Sequence, residues 1–92
     1  MKYTVGIERQ ALRELSDLPE NVRGRVRSRL HALVDDGRPL NSQQLRGPLR
    51  HLRTLRVGAY RVVYSVDDEA AEIVIWGVGH RKRIYDVLRR RS

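Results

Sequence analysis

The sequence predicts an α+β fold in which a helical hairpin packs on a mostly antiparallel four-stranded sheet and a short helix closes the chain. Three stretches carry this expectation. Residues 53–64, RTLRVGAYRVVY, hold a two-residue turn, Gly58-Ala59, between β-type residues. Glycine at the first central position is what a type II′ hairpin requires. Residues 8–36 place apolar side chains at helical spacing on both sides of a proline. Residues 72–79, EIVIWGVG, are apolar on both faces through Ile73-Val74-Ile75, the pattern of a central strand.

Taken in order, residues 2–7 alternate with Tyr3, Val5 and Ile7 on one side and read as a first strand. A helix over 8–18 sets Ala11, Leu12, Leu15 and Leu18 on one stripe. It ends at Leu18, because Pro19 disfavours helix at the residue before it. Pro19 suits the first turn of a second helix, with Glu20 near its positive end and Val22, Val26, Leu30 and Leu33 along its stripe. Gly37 suits the C′ position after that helix. Residues 38–48 are a polar connection with two prolines and a glycine. Residues 49–57, 59–66 and 72–79 are the second, third and fourth strands, with Asp67-Asp68-Glu69 as an acidic turn. Gly77 and Gly79 permit close approach near the last strand's end. Residues 81–91 form the final helix, anchored by Ile84, Val87 and Leu88. The 92 residues make one domain, 1–92, with no second unit and no repeat.

Composition narrows the function. There is no cysteine, hence no disulfide and no thiolate metal site, and no Cys/His spacing for a metal; a reducing cytoplasm fits. The apolar run 73–78 is far too short to span a membrane, and the opening MKYTVGIERQ is charged too early for a secretory signal. Net charge is +8 and uneven: residues 1–44 hold 8 basic and 6 acidic side chains, residues 45–92 hold 11 and 5. Between Leu45 and Val66 there are five arginines and no acid, the electrostatic footprint of a nucleic-acid or acidic partner.

The turn at Gly58-Ala59 pairs Val57 with Tyr60, Arg56 with Arg61, and Leu55 with Val62. Leu55, Val57, Tyr60 and Val62 then share the helix-covered face. Thr54, Arg56, Arg61 and Val63 share the other, expected to be free. Two arginines directly across a ladder repel, which suits a place held for an anion. Leu52 and Leu55 are out of step for one strand. Either Leu52 precedes the regular strand, or a bulge near Arg53-Thr54 turns Arg53 toward Arg56 and Arg61.

Arg56, Arg61 and, from the last strand's end, Arg81 make an oxyanion site, since guanidinium forks onto phosphate oxygens. RNA cleavage by a ribose 2′-hydroxyl needs such charge on the phosphorane, a group to take the hydroxyl proton and one to protonate the leaving oxygen. His80 is the first candidate for proton transfer and His51 the second, if its side chain turns inward. Tyr85 stacks on a base, orients the phosphate or moves a proton. Against these stand plain structural roles: His31 reads as surface, Trp76 and Tyr64 as core, and Arg89-Arg90-Arg91 as a solvated tail.

The stretch LRGPLRHLRTLRVGAYRVVYSV followed by IVIWGVGHRKRIY, with its motifs R-x-G-x-Y-R-V-V-Y and G-H-R-x-x-x-Y, resembles the RelE/ParE superfamily of toxins from type II toxin–antitoxin pairs, the RelE-like branch in particular. That resemblance covers nearly the whole chain. It implies a RelE-like fold akin to small microbial ribonucleases. It also implies an endoribonuclease (mRNA interferase) that cleaves mRNA in the ribosome by 2′-hydroxyl attack, with no metal and no cofactor. By motif, Arg56 and Arg61 bind phosphate and stabilise the transition state, Arg81 assists the leaving-group side, and Tyr85 orients a base or moves a proton. Arg50, Arg53, Arg56 and His51 are the expected RNA contacts, with His80 among the catalytic residues. The implied partners are a cognate antitoxin, the ribosome and mRNA, with operator DNA reached only through the antitoxin complex, no membrane, and a cytoplasmic location. The pattern departs at Leu52 and Thr54, where the best-known RelE toxin has a lysine pair suited to proton transfer. Two other readings stay open: a ParE-type inhibitor of DNA gyrase, and a catalytically weakened homologue acting through antitoxin binding and autoregulation.

Overall fold

A computed structural model describes residues 2–91, apart from the side chains of Val87 and Arg91, so the expected anchor Val87 lies outside the described residues. The elements run β1 (Thr4–Ile7), α1 (Arg9–Ser16), α2 (Glu20–Leu33), β2 (Ser42–Gln44), β3 (Arg53–Val57), β4 (Tyr60–Asp67), β5 (Glu72–His80) and α3 (Ile84–Arg91). They form one sheet of order β1-β5-β4-β3-β2. Only β1 and β5 pair in parallel, because the helical hairpin and the other strands lie between them in sequence.

The helical hairpin forms for the reasons its sequence states. The Glu8 carboxylate caps α1, accepting the N–H groups of Gln10 at 2.9 Å and Ala11 at 3.4 Å. Pro19 separates the helices and Glu20 sits in the first turn of α2. Ala11 and Leu15 of α1, with Val22, Val26, Leu30 and Leu33 of α2, pack on Leu55, Val62, Tyr64, Ile73, Ile75 and Val78 to make the main core. Leu12, expected on the buried stripe, is half exposed. α2 ends at Leu33, so Gly37 is not its C′ residue. It serves a close approach instead: a Cβ there would lie 3.1 Å from the Tyr3 ring, and its carbonyl accepts the buried Tyr64 hydroxyl at 2.9 Å.

Two expectations are corrected. The sheet has five strands, not four. β2 arises inside the polar connection, where Ser42, Gln43 and Gln44 pair with Leu55, Thr54 and Arg53. Three polar residues carry no readable alternation; the open edge of β3 recruits them by backbone pairing alone. Nor is the second sheet face free. Leu52, Val63, Ile84 and Leu88 form a second core there, flanked by Leu45, Leu49 and Tyr85, with α3 laid across it.

That second core resolves the spacing of Leu52 and Leu55. β3 pairs with β4 in unbroken register, and Leu52 precedes β3 on the face opposite Leu55. No bulge lies at Arg53-Thr54. The irregularity is in β5, where Val63 pairs with Gly77 and Tyr64 with Ile75, leaving Trp76 over. The extra residue lets Ile75 and Val78 both enter the main core. Past the end of β1, the Val78 N–H donates to Glu14 Oε1 at 3.1 Å, so α1 replaces the missing strand.

The far end of the sheet is clipped by Asp68. It accepts the Tyr3 hydroxyl at 2.7 Å and two Arg38 guanidinium nitrogens at 3.3 and 3.1 Å. The Arg38 guanidinium, followed by the Tyr3 hydroxyl, holds its carboxyl below the usual carboxylate range. Among the described residues no helix is long and apolar enough to cross a membrane.

Candidate active site

The β3–β4 hairpin has the register its turn requires: Val57 opposite Tyr60, Arg56 opposite Arg61, Leu55 opposite Val62. Gly58 has φ +60° and Ala59 is not at positive φ, the sign pattern of a type II′ turn. Arg56 donates its backbone N–H to the Asn41 carbonyl at 3.0 Å, and its own carbonyl accepts from Asn41 Nδ2 at 3.3 Å. Its backbone thus faces away from β4. Arg56 and Arg61 are therefore a non-hydrogen-bonded pair, the kind whose side chains come closest, with Cβ atoms about 4.5–5.5 Å apart.

Two forces orient these guanidinium groups differently. Arg61 Nη1 donates to the Gly58 and Tyr60 carbonyls, each at 2.8 Å, which ties it to the turn. Its Nε and Nη2 donors remain for an anion. The exposed Arg56 guanidinium has no hydrogen-bond or ion-pair partner among the described residues. Both arginines line a cleft of 350 Å³ with Leu40, Asn41, Ser42, Gln43, Thr54 and Tyr85. Tyr85 comes from the first turn of α3, and its hydroxyl donates to Thr54 Oγ1 at 3.4 Å. The cleft lining holds two cations, one phenol and no carboxylate.

Arg81 follows β5, and its N–H donates to the Ala59 carbonyl at 2.9 Å. Arg61 and Arg81 are thus both anchored on the same two-residue turn. Arg25 of α2 reaches that turn from the opposite side: a Cβ on Gly58 would lie 3.0 Å from its Nη2. Arg25, Asn41 and Gln43 were not singled out from the sequence. No periodicity signals them, because the turn and the edge of β3 bring them in.

Four expected site residues lie elsewhere. Arg53 pairs with Tyr64 on the helix-covered face, its Nη2 donates to Ser42 Oγ at 2.9 Å, and its Nε is buried without a partner. With no bulge in β3, alternation alone turns it away from Arg56. Arg50 sits in the turn before β3, its Nη1 donating to the Gly47 carbonyl at 3.4 Å. His51 lines a separate, mostly apolar cleft of 560 Å³ with Leu49, Leu52, Ser65, Trp76 and Leu88. Trp76, read as core, is 41% exposed there, because the β5 bulge adds it to the second face; its Nε1 donates to Ser65 Oγ at 2.9 Å. His80 pairs with Tyr60 and so shares the face of the main core, not that of Arg61. The two rings meet edge to face at 5.6 Å.

Leu52 lies in the second core and Thr54 lines the cleft, and neither side chain carries a titratable group. The chemistry such a cleft can supply is a paired cation for an anion with a phenol beside it.

Comparison with known proteins agrees with this architecture. Residues 5–85 match the family described as ParE toxin of type II toxin–antitoxin system, parDE. The chain is 38% identical over 87 residues to Toxin RelG of Mycobacterium tuberculosis, covering 92% of this chain and 98% of that protein. It is 32% identical over 84 residues to the mRNA interferase toxin RelE of Escherichia coli K12, covering 90% of this chain and 87% of that protein. The toxin–antitoxin complex RelBE2 of M. tuberculosis contains a chain that superposes with a TM-score of 0.79 at 32% identity, covering 88% of this chain and all of that one.

Proposed function

This chain belongs to the RelE/ParE superfamily, as the toxin of a type II toxin–antitoxin module, and from that premise we propose that it is an endoribonuclease that cuts mRNA on the ribosome. The observation that carries the reading is the facing pair Arg56 and Arg61 over an open cleft that also receives Tyr85.

In the proposed reaction the ribose 2′-oxygen attacks the adjacent phosphorus, and the bond from phosphorus to the 5′-oxygen breaks. The products are a 2′,3′-cyclic phosphate and a 5′-hydroxyl. Arg56 and the free fork of Arg61 take the two non-bridging oxygens as charge accumulates on them. This is the part that a metal ion plays in other nucleases, so the reaction is read as metal-independent. Arg81, fixed at the same turn, serves the leaving-group side. Tyr85 orients the phosphate or a base and is the one group of the cleft lining with an O–H suited to proton transfer. Much of the rate then comes from positioning on the ribosome and from fixed charge rather than from a strong base. Arg50 and His51 are exposed and add contacts to RNA outside the cleft.

The partner is a cognate antitoxin, as the M. tuberculosis relative in its RelBE2 complex suggests. A charge of +8 favours an acidic segment lying over the arginines. Operator DNA is reached through that complex, and the ribosome places the activity in the cytoplasm.

The test is induction in cells followed by mapping of mRNA 5′ ends. Codon-phased cuts that fall about 10²–10³-fold in Arg61→Ala and Arg81→Ala support the reading. Growth arrest with intact mRNA and altered DNA supercoiling would replace it with gyrase inhibition. Absence of toxicity would leave a chain that acts through its antitoxin alone.

A further inference from the structure

His80 has no role in that scheme: it sits on the face of the main core, away from Arg61, yet adjoins Arg81. Three bonds define the turn that follows it. The Arg81 N–H donates to the Ala59 carbonyl at 2.9 Å, and the Arg83 N–H to the His80 carbonyl at 2.9 Å. The Lys82 N–H donates to the His80 imidazole itself, at Nδ1, 3.2 Å away. A side-chain atom two bonds from Cβ that accepts from the N–H two residues on is the geometry of an Asx turn, here made by a ring nitrogen. The Tyr60 ring, set edge to face with the imidazole, helps to fix its plane.

We propose that His80 is a positioning residue: its neutral imidazole accepts the Lys82 N–H through Nδ1 and so sets the turn that presents Arg81 at the hairpin tip. This deepens the functional reading above and rests on it. Nδ1 accepts only while it carries no proton, so the ring proton is on Nε2. Protonation turns Nδ1 into a donor facing a donor, and the turn loses its side-chain bond. Glu14 of α1, Asp17 just after that helix, Lys82 and Arg83 line one cleft with the ring, and Tyr60 of β4 packs against it.

The experiment compares His80→Asn, His80→Gln and His80→Ala in single-turnover cleavage of ribosome-bound mRNA, alongside ¹H–¹⁵N spectra that verify folding. Asparagine carries Oδ1 where histidine carries Nδ1; glutamine moves the acceptor one bond too far. His80→Asn is expected to stay within about twofold of the parent, the scatter of independent sites. His80→Ala and His80→Gln are expected to lose rate, and His80→Ala to add nothing on top of Arg81→Ala. A folded His80→Asn as slow as His80→Ala overturns the proposal in favour of proton transfer by the ring, a role worth about 10²–10⁴-fold. Additivity with Arg81→Ala overturns it too. If the parent cuts no mRNA, the functional reading fails by itself. The imidazole ¹⁵N shifts then decide about the turn, and a proton found on Nδ1 near neutral pH overturns it.

Discussion

Replacing Arg56 by glutamine should make the protein more stable and less active at once. Arg56 and Arg61 occupy a non-hydrogen-bonded ladder pair with Cβ atoms about 4.5–5.5 Å apart and Arg61 drawn back to the turn, so a charge separation on the order of 6 Å sets the upper size of the repulsion. At that distance two unit charges repel by about 0.7 kcal/mol in water, and by about 3 kcal/mol at an effective dielectric constant near 20. Arg56 is exposed, so the lower end applies, and about 0.5–1 kcal/mol is returned when its charge goes. For a domain of this size that raises the melting temperature by about 2–8 °C. Glutamine keeps a long stem and a polar end, so packing changes little. Thermal melts followed by circular dichroism at about 0.1 M and 1 M salt separate the cause, because screening shortens from about 10 Å to about 3 Å and the gain should vanish. Cleavage should fall by about 10²–10³-fold, as for loss of one donor to a developing oxyanion. An unchanged or lower melting temperature at low salt refutes the repulsion. Undiminished cleavage refutes the anion site.

Three further outcomes follow from the same geometry. Gly58→Ala should cost about 1–2 kcal/mol, since φ is +60° and the new Cβ meets Arg25 at 3.0 Å; denaturant midpoints measure it. Tyr64→Phe leaves the Gly37 carbonyl buried without its donor and should cost about 1–3 kcal/mol in the same assay. Asp68 has its folded-state pKa lowered, so its clip stabilises above the unfolded carboxylate pKa and is lost as pH falls through the folded one. Melting temperatures of the parent should therefore drop more steeply than those of Asp68→Asn below about pH 4.

The sequence by itself determined the hairpin and through it the heart of the site. Once Gly58-Ala59 is the turn, a period of two decides that Arg56 and Arg61 face each other and share a side. Helical spacing and Pro19 likewise determined α1, α2 and the face they bury. These signals are local: each depends on residues within a few positions of one another. What only the tertiary structure decided depends on pairs far apart in the chain. β2 exists because β3 had an open edge, and α3 covers the second face because Leu52 and Val63 offered Ile84 and Leu88 somewhere to go. The spacing of Leu52 and Leu55 signalled that second core and was equally readable as a bulge. The real bulge, at Trp76 in β5, is set by matching two strands to a common core, and no local pattern announces it. Register at the end of β5 then assigned His80 to the Tyr60 side, while Tyr85, one turn of chain further on, reached the arginines. A type II′ turn commits the faces of two strands at once, whereas the face of a residue after a bulge depends on every pairing before it.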